Sequence, residues 1–396
     1  AWTLTLDAGN DNITVDDNVG VSGGAVPGEL VIEKAGDVHF TGAEATVDVG
    51  KLTIGSVTAV GDGVEFDAAV NVAGNVDINT NTLTLDAPLT TSAGGTVTVT
   101  NSGVADLNAK TTAAGSVHFD DATTGSISLN ADIETTDAGS AITVDEAPIT
   151  LINSVTIRTE NGAITLDEIL DDAAVSDRTL AVIAGAGAVV IDDNVGVNGG
   201  LAVAALDIQS AGDVHFTGAA ATVDVKALTV GSTTAVDVDV EFDAAVNVAG
   251  TVDFNTSTLT LDATLMTTAA GTVTVTNSGV ADINANITAA GTVRFDGPVS
   301  GRIDIGLDGP ARAILTIKTT DPGAAILVDA AGVLLTGDTA MTTNDGAITF
   351  GGGVAGTFTL TLTAGAGDVD FNDTIGTAAP LFSLQIVSSA NVDIEG

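Results

Sequence analysis

A long internal duplication constrains this chain more than any other feature of its sequence. The segment Ala35–Val49 recurs as Ala211–Val225, 176 residues later, with a single difference, Glu44 against Ala220. The segment Glu65–Gly74 returns unchanged at the same offset. A chain that repeats its sequence this closely also repeats its structure, so each element predicted in the first copy is predicted again in the second.

The duplication divides the chain into three parts, which are a first long repeat at residues 1–176, a second at residues 177–357 and a partial third at residues 358–396. The third part is assigned because Leu360–Asp373 resembles Leu4–Asp17. The offset grows to 184 near Gly306–Ala313, where we expect a longer loop. Because the last part resembles the first, we expect either a window from a longer array or an element that joins one copy to the next.

Inside each copy, short apolar runs alternate with polar residues at a period of two, as in β-strands. Two interleaved series have centres near residues 54, 78, 99 and 119 and near residues 66, 85, 107 and 129. Their advance of about 20 to 24 residues is the length of one β-solenoid coil with two or three short strands. We therefore predict an all-β, parallel β-solenoid of about nineteen coils at about 4.8 Å per coil. Only residues 166–174 favour a helical turn.

Composition fits a narrow aliphatic interior. Hydrophobic residues make up 45% of the chain but aromatic residues only 3%, so Val, Ile, Leu and Ala must fill the core. We expect small branched side chains to fit inside the coils and aromatic rings not to fit. The alternative fold is a pair of tandem β-sandwiches, whose cores usually contain aromatic anchors.

The charge of the chain limits its partners. With 52 acidic and 10 basic residues the net charge is -42, which excludes nucleic acids and anionic membrane surfaces and favours divalent cations. No apolar run is long enough for insertion into a membrane. Cysteine is absent, so disulfides and cysteine-based zinc sites are excluded. The chain opens without a signal-peptide pattern, and we expect a mature or excised segment.

Calcium is the cofactor to consider. Asp7 and Asp11 lie in a segment that looks like part of the Gly/Asp nonapeptide of calcium-binding β-rolls, and Asp368 and Asp370 form a weaker echo. Acidic turns that recur between copies supply the other candidates, Asp16, Asp17, Asp192, Asp193 and Asp373. The alternative, which these residue types favour, is that the carboxylates accept hydrogen bonds from nearby backbone in Asx turns.

The sequence gives little support to catalysis, and we expect no enzyme. His39 and His215 are repeat equivalents at outward strand positions, and His118 is replaced by Arg294 in the second copy. We interpret all three histidines as solvated strand surface. A calcium-dependent, polysaccharide-active β-helix enzyme is the third choice of function, but it needs basic residues that converge on the substrate, and here they are scattered.

Four segments carry a family resemblance, namely Ala35–Gly42, Glu65–Asn79, Thr82–Asp86 and Ala114–Asp120, in which short strands alternate with Gly- and Ala-rich turns. They resemble the β-strand-repeat surface proteins of bacteria and the shafts of filamentous-haemagglutinin-type adhesins. The resemblance implies secretion to the cell surface and a β-helical shaft, with no catalytic residues. We expect a structural protein that forms an extracellular fibre, sheath or surface layer by head-to-tail stacking. The alternative is the shaft of a secreted adhesin whose binding module lies elsewhere in a longer chain.

Overall fold

The computed structural model shows an all-β protein in which parallel strands stack into the coils of a β-solenoid, as predicted. It describes residues 2–20, 28–42, 45–121, 125–145, 147–171, 177–196, 203–218, 221–298, 301–307 and 313–395. Over these ranges there are 45 strands and no helix of the length and hydropathy that would cross a membrane. The chain divides into two compact units, unit 1 with the described residues up to Asn194 and unit 2 with those from Val195 onward.

The strands of unit 1 are short, and most have three to five residues. In chain order they are β1 (Thr3–Asp7), β2 (Ile13–Val15), β3 (Glu29–Lys34), β4 (Asp37–Phe40), β5 (Thr46–Val49), β6 (Leu52–Ile54), β7 (Val60–Phe66), β8 (Ala69–Val72), β9 (Val76–Leu85), β10 (Leu89–Thr91), β11 (Val97–Asn101), β12 (Val104–Leu107), β13 (Thr111–Ala113), β14 (Val117–Asp121), β15 (Ser126–Leu129), β16 (Ile133–Thr135), β17 (Ile142–Asp145), β18 (Ile149–Leu151), β19 (Val155–Arg158), β20 (Ile164–Leu166), β21 (Ile169–Asp171), β22 (Thr179–Ile183) and β23 (Ala188–Ile191).

Unit 2 is built in the same way. Its strands are β24 (Val203–Ser210), β25 (Asp213–Phe216), β26 (Thr222–Val230), β27 (Val236–Phe242), β28 (Ala245–Val248), β29 (Val252–Leu261), β30 (Leu265–Thr267), β31 (Val273–Asn277), β32 (Val280–Ile283), β33 (Ile287–Ala289), β34 (Val293–Phe295), β35 (Arg302–Ile305), β36 (Leu315–Pro322), β37 (Ile326–Val328), β38 (Gly332–Leu335), β39 (Thr339–Asn344), β40 (Ile348–Phe350), β41 (Val354–Gly356), β42 (Thr359–Thr363), β43 (Val369–Phe371), β44 (Ser383–Ser388) and β45 (Val392–Ile394).

Each coil of unit 1 has three sides, which we name by their strands. Face A consists of β1, β3, β6, the first half of β9, β11, β14, β17, β20 and β23. Face B consists of β2, β4, β7, the second half of β9, β12, β15, β18 and β21. Face C consists of β5, β8, β10, β13, β16, β19 and β22.

The faces of unit 2 take the letters of their equivalents in the first copy. Face A consists of β24, the second half of β26, the first half of β29, β31, β34, β37, β40, β43 and β45. Face B consists of β25, β27, the second half of β29, β32, β35, β38 and β41. Face C consists of the first half of β26, β28, β30, β33, β36, β39, β42 and β44.

Coil lengths vary more than the sequence rhythm predicts. Val97 pairs with Val117, 20 residues later, whereas Val293 pairs with Ile326, 33 residues later. The long coil contains the region where the repeat offset changes, although residues 308–312 of that predicted loop lie outside the described part. The two predicted series are faces A and B, and face C was missed because many of its strands have only three residues. Longer coils give about 16 in total rather than nineteen.

The core corrects the expectation that aromatic rings do not fit. Nine phenylalanines are fully buried. Phe40 and Phe66 lie on consecutive coils with parallel rings whose centroids are 4.8 Å apart, and Phe216 and Phe242 repeat the arrangement at 4.5 Å. Because this separation is close to the spacing between paired strands, a ring stacks on the ring of the next coil without widening the interior.

Buried threonines fix the corners of the coils, although the sequence pattern assigned Thr to the outside. Thr91 Oγ1 donates to the carbonyl of Gly95 and accepts the backbone N–H of Ala114 on the next coil at 3.0 Å. Thr267 makes the equivalent pair of hydrogen bonds in the second copy. A hydroxyl inside the coil is stable here because both its donor and its acceptor are used.

The predicted helical turn at residues 166–174 is wrong for its described part. Leu166 ends strand β20 and Ile169–Asp171 is strand β21, which pairs with β18. Residues 172–174 lie outside the described ranges. Stacking on the neighbouring coil supplies hydrogen bonds that outweigh a weak helical propensity.

Candidate functional site

The first calcium candidate forms a hydrogen-bonded turn. Asp7 ends β1, and its Oδ1 accepts the backbone N–H of Gly9 at 2.9 Å. Asp11 donates its N–H to the carbonyl of Ala8 at 3.0 Å, and its own carbonyl accepts the N–H of Gly36 on the next coil. The Asp7 carboxylate therefore supports the turn, as the Asx-turn alternative proposes.

The acidic turns behave alike in all three copies. In each, a carboxylate accepts the N–H of the following residue: Asn18 donates to Asp17 (2.7 Å), Asn194 to Asp193 (2.8 Å) and Thr374 to Asp373 (2.6 Å). The preceding acid reaches across coils, since Asp16 Oδ1 accepts the hydroxyl of Thr41 at 3.0 Å. These contacts use one oxygen of each carboxylate for local structure.

The remaining candidates pair with neighbouring coils. Asp368 Oδ1 accepts the side-chain amide of Asn391 at 2.8 Å, and Asp370 lies 3.5 Å from the hydroxyl of Thr349. Two groups of three metal-ligating side chains occur among the described residues, and neither contains any of the nine calcium candidates. Calcium binding at those nine positions stays a prediction.

A column of carboxylates lies at the end of face A in unit 1. Asp120, Asp145, Asp167 and Asp192 follow one another on consecutive coils and line a shared cavity, and we call them the first acid corner. Asp120 and Asp145 are partners in the strand register. Stacking places like charges side by side at the coil spacing, which is unfavourable unless protons or cations compensate.

Two carboxyl groups at this corner have raised pKa values. Burial raises the pKa of Asp167, and the charges of Asp193, Asp192 and Asp145 raise it further. Burial also raises the pKa of Glu168, with added contributions from Asp193 and Asp167. The ionised forms of both groups are therefore destabilised in the folded protein.

The equivalent corner of unit 2 is less acidic. It consists of Asp296, Asp329, Gly351 and Asn372, the residues after β34, β37, β40 and β43, and we call it the second corner. Arg294 replaces His118 here, and its Nε donates to Asp329 Oδ2 at 2.8 Å. The Arg294 guanidinium also contacts Asp296 at 3.3 Å. Two acids and a cation thus replace four acids.

The histidines lie on outward strand positions as predicted, but each faces carboxylates. His118 Nε2 is 3.0 Å from Asp145 Oδ2. His39 and His215 belong to the two three-residue groups. The sequence did carry a signal for this, because Glu65 and Asp67 are retained together with His39 at the same offset.

The coil edge at the end of unit 2 is apolar. Val392 and Ile394 of β45 pair with Val369 and Phe371, which are buried core residues, yet they are 46% and 56% exposed themselves. Large exposed side chains nearby are Phe382 and Val387. The core columns therefore continue into β45 without a covering layer among the described residues.

This edge reproduces a surface that is covered elsewhere. The β42–β44 pair repeats the β1–β3 pair, with the same break in register, after Leu362 in one and after Leu6 in the other. In unit 1, β3 and β4 are covered by β6 and β7. The edge of β44 and β45 thus has the strand pattern that accepts a further coil.

Comparison with family models, with curated proteins and with solved structures gave no match to this chain. Its role is therefore inferred from its own residues and their contacts.

Proposed function

We propose that this chain is a structural repeat protein that forms an extracellular fibre, sheath or surface layer by head-to-tail stacking of acidic coils. The observation that carries the proposal is the apolar edge of β44 and β45, where Val392 and Ile394 are half exposed at the end of a buried column. The occupant we propose for this edge is a coil of a second copy of the chain.

The physical basis is the pairing of the backbone. A strand inside the stack is hydrogen-bonded to one coil on each side, whereas an edge strand offers N–H and C=O groups that another strand satisfies. Adding a coil also removes the side chains of Val392 and Ile394 from water, which contributes about 1.5–3 kcal/mol for each fully buried side chain. A heterologous contact of this kind does not close and therefore extends into a filament.

Charge opposes this assembly and makes it depend on ions. Copies that each carry a net charge of -42 repel one another. Salt screens exposed charges, and divalent cations compensate carboxylates held close together. We therefore expect assembly to grow with ionic strength and with divalent cations. The extracellular location rests on the family resemblance.

An adhesin shaft is the second candidate, because the same edge also suits the next coil of a longer polypeptide. In that case the additional coil comes from the same chain, and a non-repetitive binding domain lies beyond the array. Sequencing the complete gene product separates the two proposals, since only the shaft requires such a domain.

The test uses sedimentation velocity on the 396-residue chain at increasing protein and salt concentration. A double variant, Val392→Lys and Ile394→Lys, places two charges in the edge, while the control, Val238→Lys, changes an exposed residue of β27 away from it. We expect concentration-dependent growth for the native chain and the control and none for the double variant. Equal behaviour of the control and the double variant would contradict assembly through this edge.

A further inference from the structure

Two groups of side chains with metal-ligand chemistry stand on face B, one in each unit. In unit 1, His39 of β4 lies directly opposite Glu65 of β7 in the strand register. Asp67 follows β7, and its backbone N–H donates to the carbonyl of Phe40 at 3.0 Å. The strand pairing thus sets the positions of all three residues, which we call the first triad.

The second triad, in unit 2, repeats this arrangement. His215 of β25 lies opposite Glu241 of β27, and Asp243 donates its N–H to the carbonyl of Phe216 at 3.0 Å. In both triads all three ligand atoms lie within 4.8 Å of one another. The geometry is therefore built twice from the same three residue types.

In both triads the two carboxylates converge on one imidazole nitrogen. His39 Nε2 is 3.0 Å from Asp67 Oδ2 and 3.4 Å from Glu65 Oε2. His215 Nε2 is 3.1 Å from Glu241 Oε2 and 3.5 Å from Asp243 Oδ2. Two ligands bonded at 2.0–2.1 Å to a tetrahedral zinc ion lie about 3.3 Å apart, so these separations match a shared ion.

Hydrogen bonding explains these contacts incompletely. An imidazole Nε2 carries at most one proton, so it donates to one carboxylate and leaves the other without a donor from this ring. In the second triad, His215 Nε2 is buried and has no hydrogen-bond partner of acceptable geometry, although two carboxylate oxygens lie close to it. Even a charged imidazole leaves each triad with a net negative charge.

The scaffold under each triad is rigid, and its outer side is open to water. Phe40 and Phe66, the residues next to His39 and Glu65, stack inside the coil with an interplanar angle of 5°. Side-chain exposures in the first triad are 30% for His39, 44% for Glu65 and 37% for Asp67, which leaves room for an ion and its water ligands. A metal site with three protein ligands and an open position has this form.

We infer that each triad binds one divalent transition-metal ion of the zinc class, through the histidine Nε2 and one oxygen of each carboxylate, with water completing the coordination. Two ions are bound per chain. An imidazole ligand selects zinc and its first-row neighbours, whereas calcium and magnesium prefer sites made of oxygen alone.

The third histidine provides an internal contrast. His118 lies beside Asp145 at 3.0 Å and belongs to no three-residue group among the described residues. Its equivalent in the second copy is Arg294, which is paired with Asp329. A guanidinium pairs with carboxylates but supplies no ligand to a metal, so that position needs only a cation. His118→Gln is therefore the matched control for His39→Gln and His215→Gln.

The experiment counts zinc bound to the chelator-stripped chain by isothermal titration with Zn²⁺ and by elemental analysis after gel filtration. We expect two ions for the native chain and for His118→Gln, one for each single triad variant, and none for the double variant His39→Gln/His215→Gln. Asp67→Asn/Asp243→Asn, which keeps both imidazoles, weakens binding at least tenfold. Circular dichroism confirms that each variant is folded.

Three results overturn the inference. The first is no stoichiometric zinc on the native chain, and the second is two ions on the double histidine variant, which assigns the zinc to surface acids. The third is loss of zinc in a hundredfold excess of Ca²⁺, which makes the triads sites for hard cations. Retention of zinc in that excess supports the zinc class. None of these results depends on whether copies of the chain stack.

Discussion

The two corners at the end of face A show what the repeat keeps and what it varies. Phe119 and Phe295 are equivalent, and both are fully buried. Outside the coil, four stacked carboxylates at the first acid corner become Asp296, Asp329, Gly351 and Asn372 at the second corner, beside Arg294. The strand pairing is the same in both units.

The difference indicates that the backbone ladder and the inward column determine the fold, while outward charge varies independently. At the first acid corner the crowding remains and appears as the raised pKa of Asp167. At the second corner an arginine and two uncharged positions relieve it. Predictions that break this comparison separate effects that are equal in both units from effects of opposite sign.

The largest effect is expected from the inward column, and it should be equal in the two units. Phe119→Ala and Phe295→Ala each leave a cavity in a fully buried layer and should lower the free energy of unfolding by about 3–5 kcal/mol. Urea denaturation followed by circular dichroism measures both. A difference between the variants as large as the effect itself would show that the two cores are not equivalent.

The threonine corners should give the next largest effect, again equal in both copies. Thr91→Val and Thr267→Val remove a hydroxyl and leave the backbone N–H of Ala114 or Ala290 buried without its acceptor. We expect a loss of about 1–3 kcal/mol for each. Hydrogen exchange should accelerate at Ala114 and Ala290, and unchanged exchange would contradict the role given to the hydroxyl.

Charge variants should have smaller effects of opposite sign at the two corners. Asp167→Asn removes a crowded carboxylate and should raise the urea midpoint of the chain, by an amount within about 0.5 kcal/mol. Asp329→Asn removes the partner of Arg294 and should lower the midpoint. Two midpoints that move in the same direction would contradict the electrostatic difference between the corners.

The pH dependence of Asp167→Asn sharpens this comparison. A carboxyl whose pKa is raised in the folded state favours folding when protonated, and this contribution is lost as pH rises through the folded pKa. The stability advantage of Asp167→Asn over the native chain should therefore be present at neutral pH and vanish below 3.8, the ordinary value. An advantage that persists unchanged at low pH would have a different origin.

The smallest effect is expected at the acidic turns. Asp17→Asn and Asp193→Asn keep an oxygen that accepts the N–H of the next residue, so stability should change by less than about 0.5 kcal/mol. If these acids serve the turn, titration with Ca²⁺ gives the same result before and after the change. A lost calcium equivalent would instead support the calcium hypothesis.

The sequence predicted the stacked parallel coils because the period-2 runs and the repeat offset are both visible in one dimension. It missed face C, whose strands, such as Leu89–Thr91, are too short to show alternation. It misplaced Thr91 and the phenylalanines, because a buried hydroxyl is satisfied by a residue on the next coil and Phe66 stacks on a ring 26 positions away. Contacts between coils depend on register, and register requires the coil lengths.

The same limit applies to the candidate sites. The acidic turns were visible because their acids are adjacent in the chain. The triads were not recognised, since His39 reaches Glu65 only through the β4–β7 register. Retention of all three residues in the second copy was the available signal, and it was interpreted as repeated surface.

Electron microscopy of the purified 396-residue chain at micromolar concentration, with and without divalent cations, tests the proposed head-to-tail assembly most directly. The account predicts filaments that grow with salt and divalent cations, that shorten with chelator and that are absent for Val392→Lys/Ile394→Lys. Discrete single copies under all these conditions, indifferent to chelator and to the edge variant, would contradict it.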